Sequence, residues 1–422
     1  MLSFLHQQLE RVRGVQQPAS STSEEWQVFC ARVAKAHRLL AKHSEPFDIR
    51  TFYKIEDVHS IIDETCDFLR AQAQEWQMQC ATELEDTVPY DSVEEDREYL
   101  HKLLSYILKG EQRGVSDELL SRWMSIKRAH DDELKFLLII PQKSLVLEKP
   151  IGRGGYGLVY EARWNFSRVA VKRPLADGDL PIEEFASLVK EVAVHAKLSH
   201  PNVVQVHATT PSGWLVMEMA DTDLGALCRG SKKIGWRGTL NLLLQAAIGL
   251  CFLHSLSPPI VHSDVKGSNF LIFGTDPNNC RVKITDFGLA FEAVNGRSKT
   301  ARLGGGTLEW MAPEIYQGEP ISLSSDTFSF GVVIYEAVTR AHPYGTDKLV
   351  HANVKNAVVL NKKLSNKEPC TVHPEDCPEE MQLLMRRCCT INPAERPTMM
   401  EVIHCLQELP WDWKPSPGNS DK

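Results

Sequence analysis

No apolar run in this chain approaches the roughly 20 residues that a membrane-spanning helix needs; Leu137-Leu-Ile-Ile-Pro141 falls far short. A transmembrane segment is therefore not expected. The first residues, Met1-Leu-Ser-Phe-Leu-His-Gln-Gln-Leu-Glu-Arg11, lack the basic start and long apolar stretch of a secretory signal. The eleven cysteines are odd in number and scattered, without the spacing of a disulfide framework. That excludes a small disulfide scaffold and points to a reducing compartment, so a cytoplasmic protein is expected. Metal-ligand spacing is also nearly missing. Cys370-x-x-His373-x-x-x-Cys377 contains a single Cys-x-x-His pair inside a loop-like stretch, and an ordinary loop accounts for it better than zinc. Over residues 1–140 glycine and proline are sparse and strand alternation is absent, which leaves helix as the expected state there.

What is present is ordinary in bulk and uneven in detail. A hydrophobic content of 43% and a charged content of 24% suit a globular chain, and 422 residues allow two or three domains. The acidic excess sits entirely in front. Residues 1–140 hold 17 Lys and Arg against 25 Asp and Glu, while the remainder carries 30 of each sign. An acidic surface argues against nucleic acid and against anionic membranes as partners of that segment.

Four amphipathic helices are legible in residues 1–140. Thr22-x-x-Glu25 forms a capping box ahead of Trp26, Phe29, Val33, Ala36 and Leu40, spaced three or four apart. A longer run places Ile55, Val58, Ile62, Cys66, Leu69, Ala73, Trp76 and Cys80 on one face. Asp91-x-x-Glu94 opens a third helix, with Leu100, Leu103, Leu104 and Ile107, closed by Gly110. Ser116 opens a fourth, with Leu119, Leu120, Trp123 and Ile126. Short polar loops between them predict a small antiparallel bundle.

The chemistry lies further on. Leu145-Val-Leu runs as a strand into Gly152-x-Gly154-Gly155-x-Gly157. A dinucleotide site would open a helix at these glycines. Here the chain continues as Leu158-Val-Tyr-Glu-Ala-Arg and Arg168-Val-Ala-Val-Lys172, alternating and β-branched, so strand–turn–strand is predicted. Lys172 needs an acidic partner to hold it on phosphates, and Glu191, in the helical run Glu183–Lys197, is the candidate. Then come His262-Ser-Asp264-Val-Lys266-Gly-Ser-Asn269 and Asp286-Phe-Gly288. Two carboxylates, a lysine and an asparagine at this spacing suit phosphoryl transfer from a nucleotide bound with magnesium.

With these motifs in this order, followed by Ala312-Pro-Glu314, Asp326 and Arg396, the chain from about 145 to 409 resembles a eukaryotic protein kinase domain. Gly306-Thr-Leu-Glu-Trp310-Met-Ala-Pro-Glu and Ser329-Phe-Gly-Val-Val-Ile-Tyr-Glu336 resemble the tyrosine-kinase-like group, which includes Raf and mixed-lineage kinases. The resemblance implies an α+β, bilobal fold, with a β-rich small lobe and an α-rich large lobe, preceded by the helical bundle of residues 1–140 and followed by a tail, 410–422. It implies ATP and Mg2+ as cofactors and protein serines and threonines as acceptors, since Lys266 and Thr307 match the serine/threonine pattern. Asp264 would orient the acceptor hydroxyl and Lys266 would neutralise the transferring phosphoryl group. Lys172, fixed by Glu191, would pair with the α- and β-phosphates, and Asn269 and Asp286 would hold the metal. Ile151, the four glycines, Val159, Ala170, Met217 and Leu271 would enclose the nucleotide, and the backbones of Glu218 and Met219 would bond adenine. Asp326 and Arg396 would be a buried aspartate and the partner of Glu314.

Three positions depart from the pattern. Ser263 stands where many kinases carry the arginine that receives an activation-loop phosphate, and Ser187 and Phe291 replace two other basic contributors. Control through phosphates at Ser298 or Thr300 is therefore not expected at that pocket, and attention shifts to the helices in front, as a docking module for a protein partner or for the kinase itself. The alternative reading is a catalytically weak or pseudokinase scaffold whose bundle is the effector; the intact Lys172, Asp264 and Asp286 weigh against it. The tryptophans Trp411 and Trp413 are expected to pack on the large lobe.

Overall fold

The computed structural model describes residues 1–43, 55–112, 114–134, 137–154, 157–173, 182–210, 213–231, 234–293, 308–317, 319–345, 352–365, 367–373 and 375–414. The chain divides into two compact units: Met1–Lys135 with Gly178–Ser187, and Phe136–Asp177 with Leu188–Lys422.

The first unit is all helical: α1 (Leu2–Arg11), α2 (Ser23–His43), α3 (Ile55–Glu75), α4 (Tyr90–Lys109) and α5 (Asp117–Leu134), with a 3-10 turn at Gln79–Thr82. The helix not foreseen is α1. Its Phe4, Leu5, Gln8 and Leu9 are buried at helical spacing, and it packs on α2 and α3. Three local signals explain the starts and stops. The Thr22–Glu25 box forms, with the Thr22 N–H donating to Glu25 at 2.8 Å and the Glu25 N–H to Thr22 at 3.2 Å. Ser116 Oγ accepts from the Leu119 N–H at 3.4 Å. Gly110 closes α4 in a left-handed conformation, φ 74°, which only glycine adopts freely. One expectation is corrected: α4 begins at Tyr90 behind Pro89, so Asp91 lies inside the first turn and does not cap it. Trp26, Phe29 and Trp76 cluster between α2 and the end of α3, and Trp123 of α5 is buried against Tyr99, to whose hydroxyl it donates at 3.3 Å.

The second unit opens with a five-stranded antiparallel sheet, β1 (Leu145–Gly154), β2 (Gly157–Trp164), β3 (Ser167–Arg173), β4 (Val206–Thr209) and β5 (Leu215–Glu218), in the order β1-β2-β3-β5-β4. Between β3 and β4 runs α6 (Ile182–His195). Residues 138–140 belong with this sheet: Thr209 exchanges bonds of 2.9 Å with Leu138 and Ile140. β-Branched residues at alternate positions of β3, Val169 and Val171, face Ala162, Ala208 and Val216 in a small core.

The remainder is mostly helical. In chain order it holds β6 (Thr222–Asp223), α7 (Leu224–Arg229), α8 (Trp236–His254), β7 (Ile260–Val261), β8 (Phe270–Phe273), β9 (Arg281–Ile284), β10 (Phe291–Glu292), α9 (Pro313–Tyr316), α10 (Leu323–Thr339), α11 (Ala352–Leu364), α12 (Glu379–Cys388) and α13 (Met399–Glu408). By length and composition α8 is apolar enough to cross a membrane, against the expectation that no segment would be. In this fold it is a core helix: Leu240, Leu243, Ala247 and Leu250 are buried, and α10, α13 and β9 pack around it. The expected packing of the last tryptophans is present, for Trp236 donates to the Pro410 carbonyl at 2.6 Å and stands edge-on to Trp413. Replacing Leu250 by alanine deletes a fully buried side chain, so Leu250→Ala is expected to lower stability by about 2–5 kcal/mol; a urea titration of the second unit's transition checks it by the fall in midpoint.

Candidate active site

The site is assembled from a strand, a helix and two loops. On β3 the alternation puts Ala170 and Lys172 on one face, and cross-strand pairing adds Val159, opposite Lys172, and Met217, opposite Ala170. The glycine-rich segment is a hairpin, with Gly152 opposite Val159 and Gly154 opposite Gly157, which confirms strand–turn–strand and excludes the helix of a dinucleotide site. Gly157 is required locally: a Cβ there would lie 2.4 Å from the Arg173 carbonyl oxygen. Gly155 lies outside the described residues. Ile151 is exposed, Ala170 and Met217 are buried, and Val159 and Leu271 are half-buried.

Lys172 is the centre. Its ammonium donates to both Glu191 oxygens, at 2.6 and 2.8 Å, and to Asp286 at 2.9 Å. One cation thus faces two carboxylates in a buried place. Burial works against the charge of Lys172, but Glu191 and Asp286 outweigh it and hold the ammonium protonated, its pKa above the ordinary lysine value. Burial pushes the Glu191 carboxyl up against the pull of Lys172, and the neighbouring Asp286 adds to the rise. For Asp286 burial also raises, but Lys172 prevails and its pKa is lowered. The cluster carries one negative charge too many for a dry site, which is what a bound cation would relieve. Asp286 is held in a left-handed backbone conformation, φ 67° and ψ 71°, a strained state for a non-glycine residue.

The second group sits on the loop after β7. Lys266 donates to Asp264 at 2.6 Å. Asn269 donates to the Asp264 carbonyl at 2.7 Å and to its carboxylate at 3.1 Å. These bonds fix the amide so that its carbonyl oxygen is the end left to act as a ligand. The Thr285 N–H donates to the Asn269 carbonyl at 3.0 Å, so the two metal candidates flank the adjoining ends of β8 and β9, Asn269 just before β8 and Asp286 just after β9. Asn269 and Asp286 therefore offer hard oxygen donors beside excess negative charge, a donor set that fits a divalent cation.

The loop itself is held from below. Asp326, buried at the start of α10, accepts from the backbone N–H groups of His262 at 2.7 Å and Ser263 at 2.9 Å, while His254 approaches it at 3.1 Å. Ser263 is left-handed, φ 67°, and its buried hydroxyl has no hydrogen-bond partner among the described residues. Arg396 grips Glu314 with two bonds, 2.7 and 2.8 Å. Phe291 is buried in the large core, so it presents no cation. Of Ser187 the side chain, and of Ser298, Thr300 and Thr307 the whole residue, lie outside the described residues.

Two contributors were missed in the sequence. His195, one turn after Glu191, lies 4.5 Å ring to ring from Phe287, which His262 meets edge-on from the other side, and its Nε2 bonds the Val204 carbonyl at 2.7 Å. The i, i+4 spacing from Glu191 was the available signal. The second is Ala220. The N–H of Glu218 is engaged by Gln205, whereas among the described residues no backbone–backbone bond uses Met219 or Ala220, so both remain open to a ligand.

Burial pushes His195 down to about 4. A histidine kept neutral in the fold but protonated at about 6.5 when unfolded makes the unfolded state bind more protons between these values, so stability falls as pH drops from about 6.5 to 4. His195→Leu is expected to show a shallower loss of stability over this window than the wild type, measured by urea midpoints at a series of pH values; parallel profiles would contradict it.

Comparison with known proteins agrees with this geometry. A family model described as protein kinase domain matches residues 145–406. The chain is 35% identical over 277 residues to mitogen-activated protein kinase kinase kinase 11 of Rattus norvegicus, covering 63% of this chain and 31% of that protein. It is 32% identical over 290 residues to serine/threonine-protein kinase CTR1 of Arabidopsis thaliana, covering 67% and 34%. A putative serine/threonine-protein kinase/receptor, R826, of Acanthamoeba polyphaga mimivirus is 32% identical over 276 residues, covering 64% and 16%. The match thus spans about a third or less of the length of these curated relatives. The chain belongs to the protein kinase family, and the bilobal fold expected of it is the one observed.

Proposed function

For this member of the protein kinase family, we propose the transfer of the γ-phosphoryl group of ATP, bound with Mg2+, to serine and threonine hydroxyls of protein substrates. The observation that carries the reading is the assembled site: Lys172 already paired with Glu191 and Asp286, beside Asp264 bonded to Lys266 and Asn269. Two of these relatives, R826 and CTR1, carry serine/threonine-protein kinase in their names, which supports the acceptor class.

Phosphoryl transfer through a loose transition state asks the protein for position and charge rather than for covalent chemistry. Asp264 lies where it can take or orient the acceptor proton; a carboxylate of reference pKa about 4 is a weak base, so orientation is its larger contribution. Lys266, already on Asp264, is placed to neutralise the phosphoryl group as it passes. Lys172 holds the nucleotide phosphates, and Glu191 keeps its ammonium from swinging away. Asn269 and Asp286 would hold Mg2+, which when bound spreads charge from the phosphate oxygens. The adenine ring would lie between Val159 and Ala170 on one side and Leu271 on the other, with Met217 behind it and the backbones of Glu218, Met219 and Ala220 at its edge. The eleven free cysteines support a reducing, cytoplasmic setting. The helical unit is proposed as an interaction module, its amphipathic helices and acidic balance suited to a protein partner rather than nucleic acid.

Asp264→Asn keeps the size and loses the charge, and is expected to reduce transfer to protein by about 10²–10⁴-fold while ATP still binds. Radiolabel transfer from γ-labelled ATP, with phosphoamino-acid analysis of the product, is the measurement; equal turnover by wild type and variant, or phosphotyrosine alone, would defeat the reading. With Ser263 and Phe291 in place of cations, a loop phosphate finds no partner at that pocket. Alanine at both Ser298 and Thr300 is therefore expected to leave the specific activity within about twofold, and a large loss would show that loop phosphorylation matters after all.

A further inference from the structure

Lys363 is a buried cation that the mechanism does not use. It is the penultimate residue of α11, only 3% exposed. Among the described residues no carboxylate is within ion-pair distance of it. Its ammonium instead donates to two backbone carbonyls, that of Leu308 at 2.6 Å and that of Met311. Three rings enclose it: Tyr316 at 5.3 Å, Phe328 at 5.5 Å and Tyr344 at 5.2 Å from nitrogen to ring centre. One side chain thus ties α11 to α9, to α10 and to the stretch 308–311. The Tyr316 hydroxyl adds a second bond to the Leu308 carbonyl, at 2.6 Å.

Desolvating a lone ammonium is costly, and the carbonyls and ring faces offset only part of that cost. Burial accordingly pushes its pKa down to about 7, against the raising influence of Cys389, Glu309 and Glu314. A leucine or methionine would fill the space without the penalty, so stability alone does not account for a lysine here. What the lysine adds is direction: two carbonyls fixed at the turn ahead of Ala312-Pro-Glu314.

That turn adjoins the catalytic loop. The indole N–H of Trp310 is turned to the Glu336 carboxylate, near enough to favour its charge but short of hydrogen-bond geometry. Glu336 in turn lies against Gly267, where a Cβ would come within 2.6 Å of its Oε2. Gly267 follows Lys266, which is bonded to Asp264. The stretch held by Lys363 is therefore one side chain away from the loop to which an acceptor hydroxyl must come.

We propose that Lys363 is a positioning residue for the protein acceptor: by holding the carbonyls of Leu308 and Met311 it sets the course of the stretch beside the loop that the acceptor hydroxyl must reach, and it takes no part in binding ATP. The inference rests on the kinase reading above.

The test uses the full chain and a serine- or threonine-containing peptide, taken from a degenerate library, on which the wild type is active. Lys363→Met keeps the stem and removes the donors. It is expected to raise the KM for the peptide about tenfold, while the KM for ATP and the rate of ATP hydrolysis without acceptor stay within about twofold. Lys363→Gln restores N–H donors without the charge and is expected to recover most of the lost peptide affinity. An unchanged peptide KM in Lys363→Met would overturn the proposal. So would an equal loss of acceptor-free hydrolysis, or failure of both variants to fold, since either would assign Lys363 to stability alone. Absence of any transfer by the wild type is a different result: it defeats the kinase reading and this inference with it.

Discussion

The ammonium of Lys172 joins three parts of the chain at one point: β3, α6 and the loop after β9. Each bond is short and the place is nearly dry, so none of the three can drift without leaving a charge unpaired, and an uncompensated buried charge costs about 3–5 kcal/mol. Yet the lysine does not fully balance its partners. Two carboxylates share one cation, and the Asn269 amide, locked through its nitrogen by Asp264, leaves its oxygen as the end available to a ligand. The arrangement is stable enough to hold its shape and unsatisfied enough to take up a cation and phosphates.

Beneath it runs a second buried charge network, quieter in chemistry but necessary for geometry. Asp326 accepts two consecutive backbone N–H groups, those of His262 and Ser263, and so holds Ser263 in a left-handed turn that a serine would not choose. Arg396 and Glu314 do the same for the end of the segment that follows Asp286. Lys363 extends the pattern to the turn just ahead of Glu314. Asp326 and Lys363 engage the backbone, and Arg396 and Glu314 engage each other. Such bonds fix where the loops lie, and apolar packing in α8 and α10 supplies the stability that permits them.

Much of this was legible in the residues. The order Lys172, Glu191, Asp264, Asn269, Asp286 gave the chemistry because each role demands one residue type. The alternation of β3 gave the face on which Lys172 and Ala170 lie. The capping box at Thr22 and the glycine at 110 marked helix ends by local hydrogen bonding alone, which needs no tertiary partner. Asp91 misled because the same acidic signal serves equally as a cap and as a first-turn charge, and Pro89 decided between them. α1 was overlooked because a ten-residue helix is marginal on its own, and only its docking on α2 and α3 makes it one. For His195 the i, i+4 spacing from Glu191 was the one local hint, and Lys363 had none, for a histidine or lysine on a helix is usually a solvated one, and nothing local says that Phe287 or two distant carbonyls will lie against it.

The sequence by itself determined the family and the kinase class, since these depend on residue types and spacings that are covalent facts. It also placed Ser263 and Phe291 where many kinases carry basic residues. Only the tertiary structure decided the electrostatics: that Lys172 serves two carboxylates at once, that α8 is a core helix despite its apolar length, and that Lys363 is buried with no counter-ion among the described residues. Burial and net charge at a point are properties of what folds around a group, and residues as far apart as Lys363 and Leu308 become neighbours only when the core between them has formed.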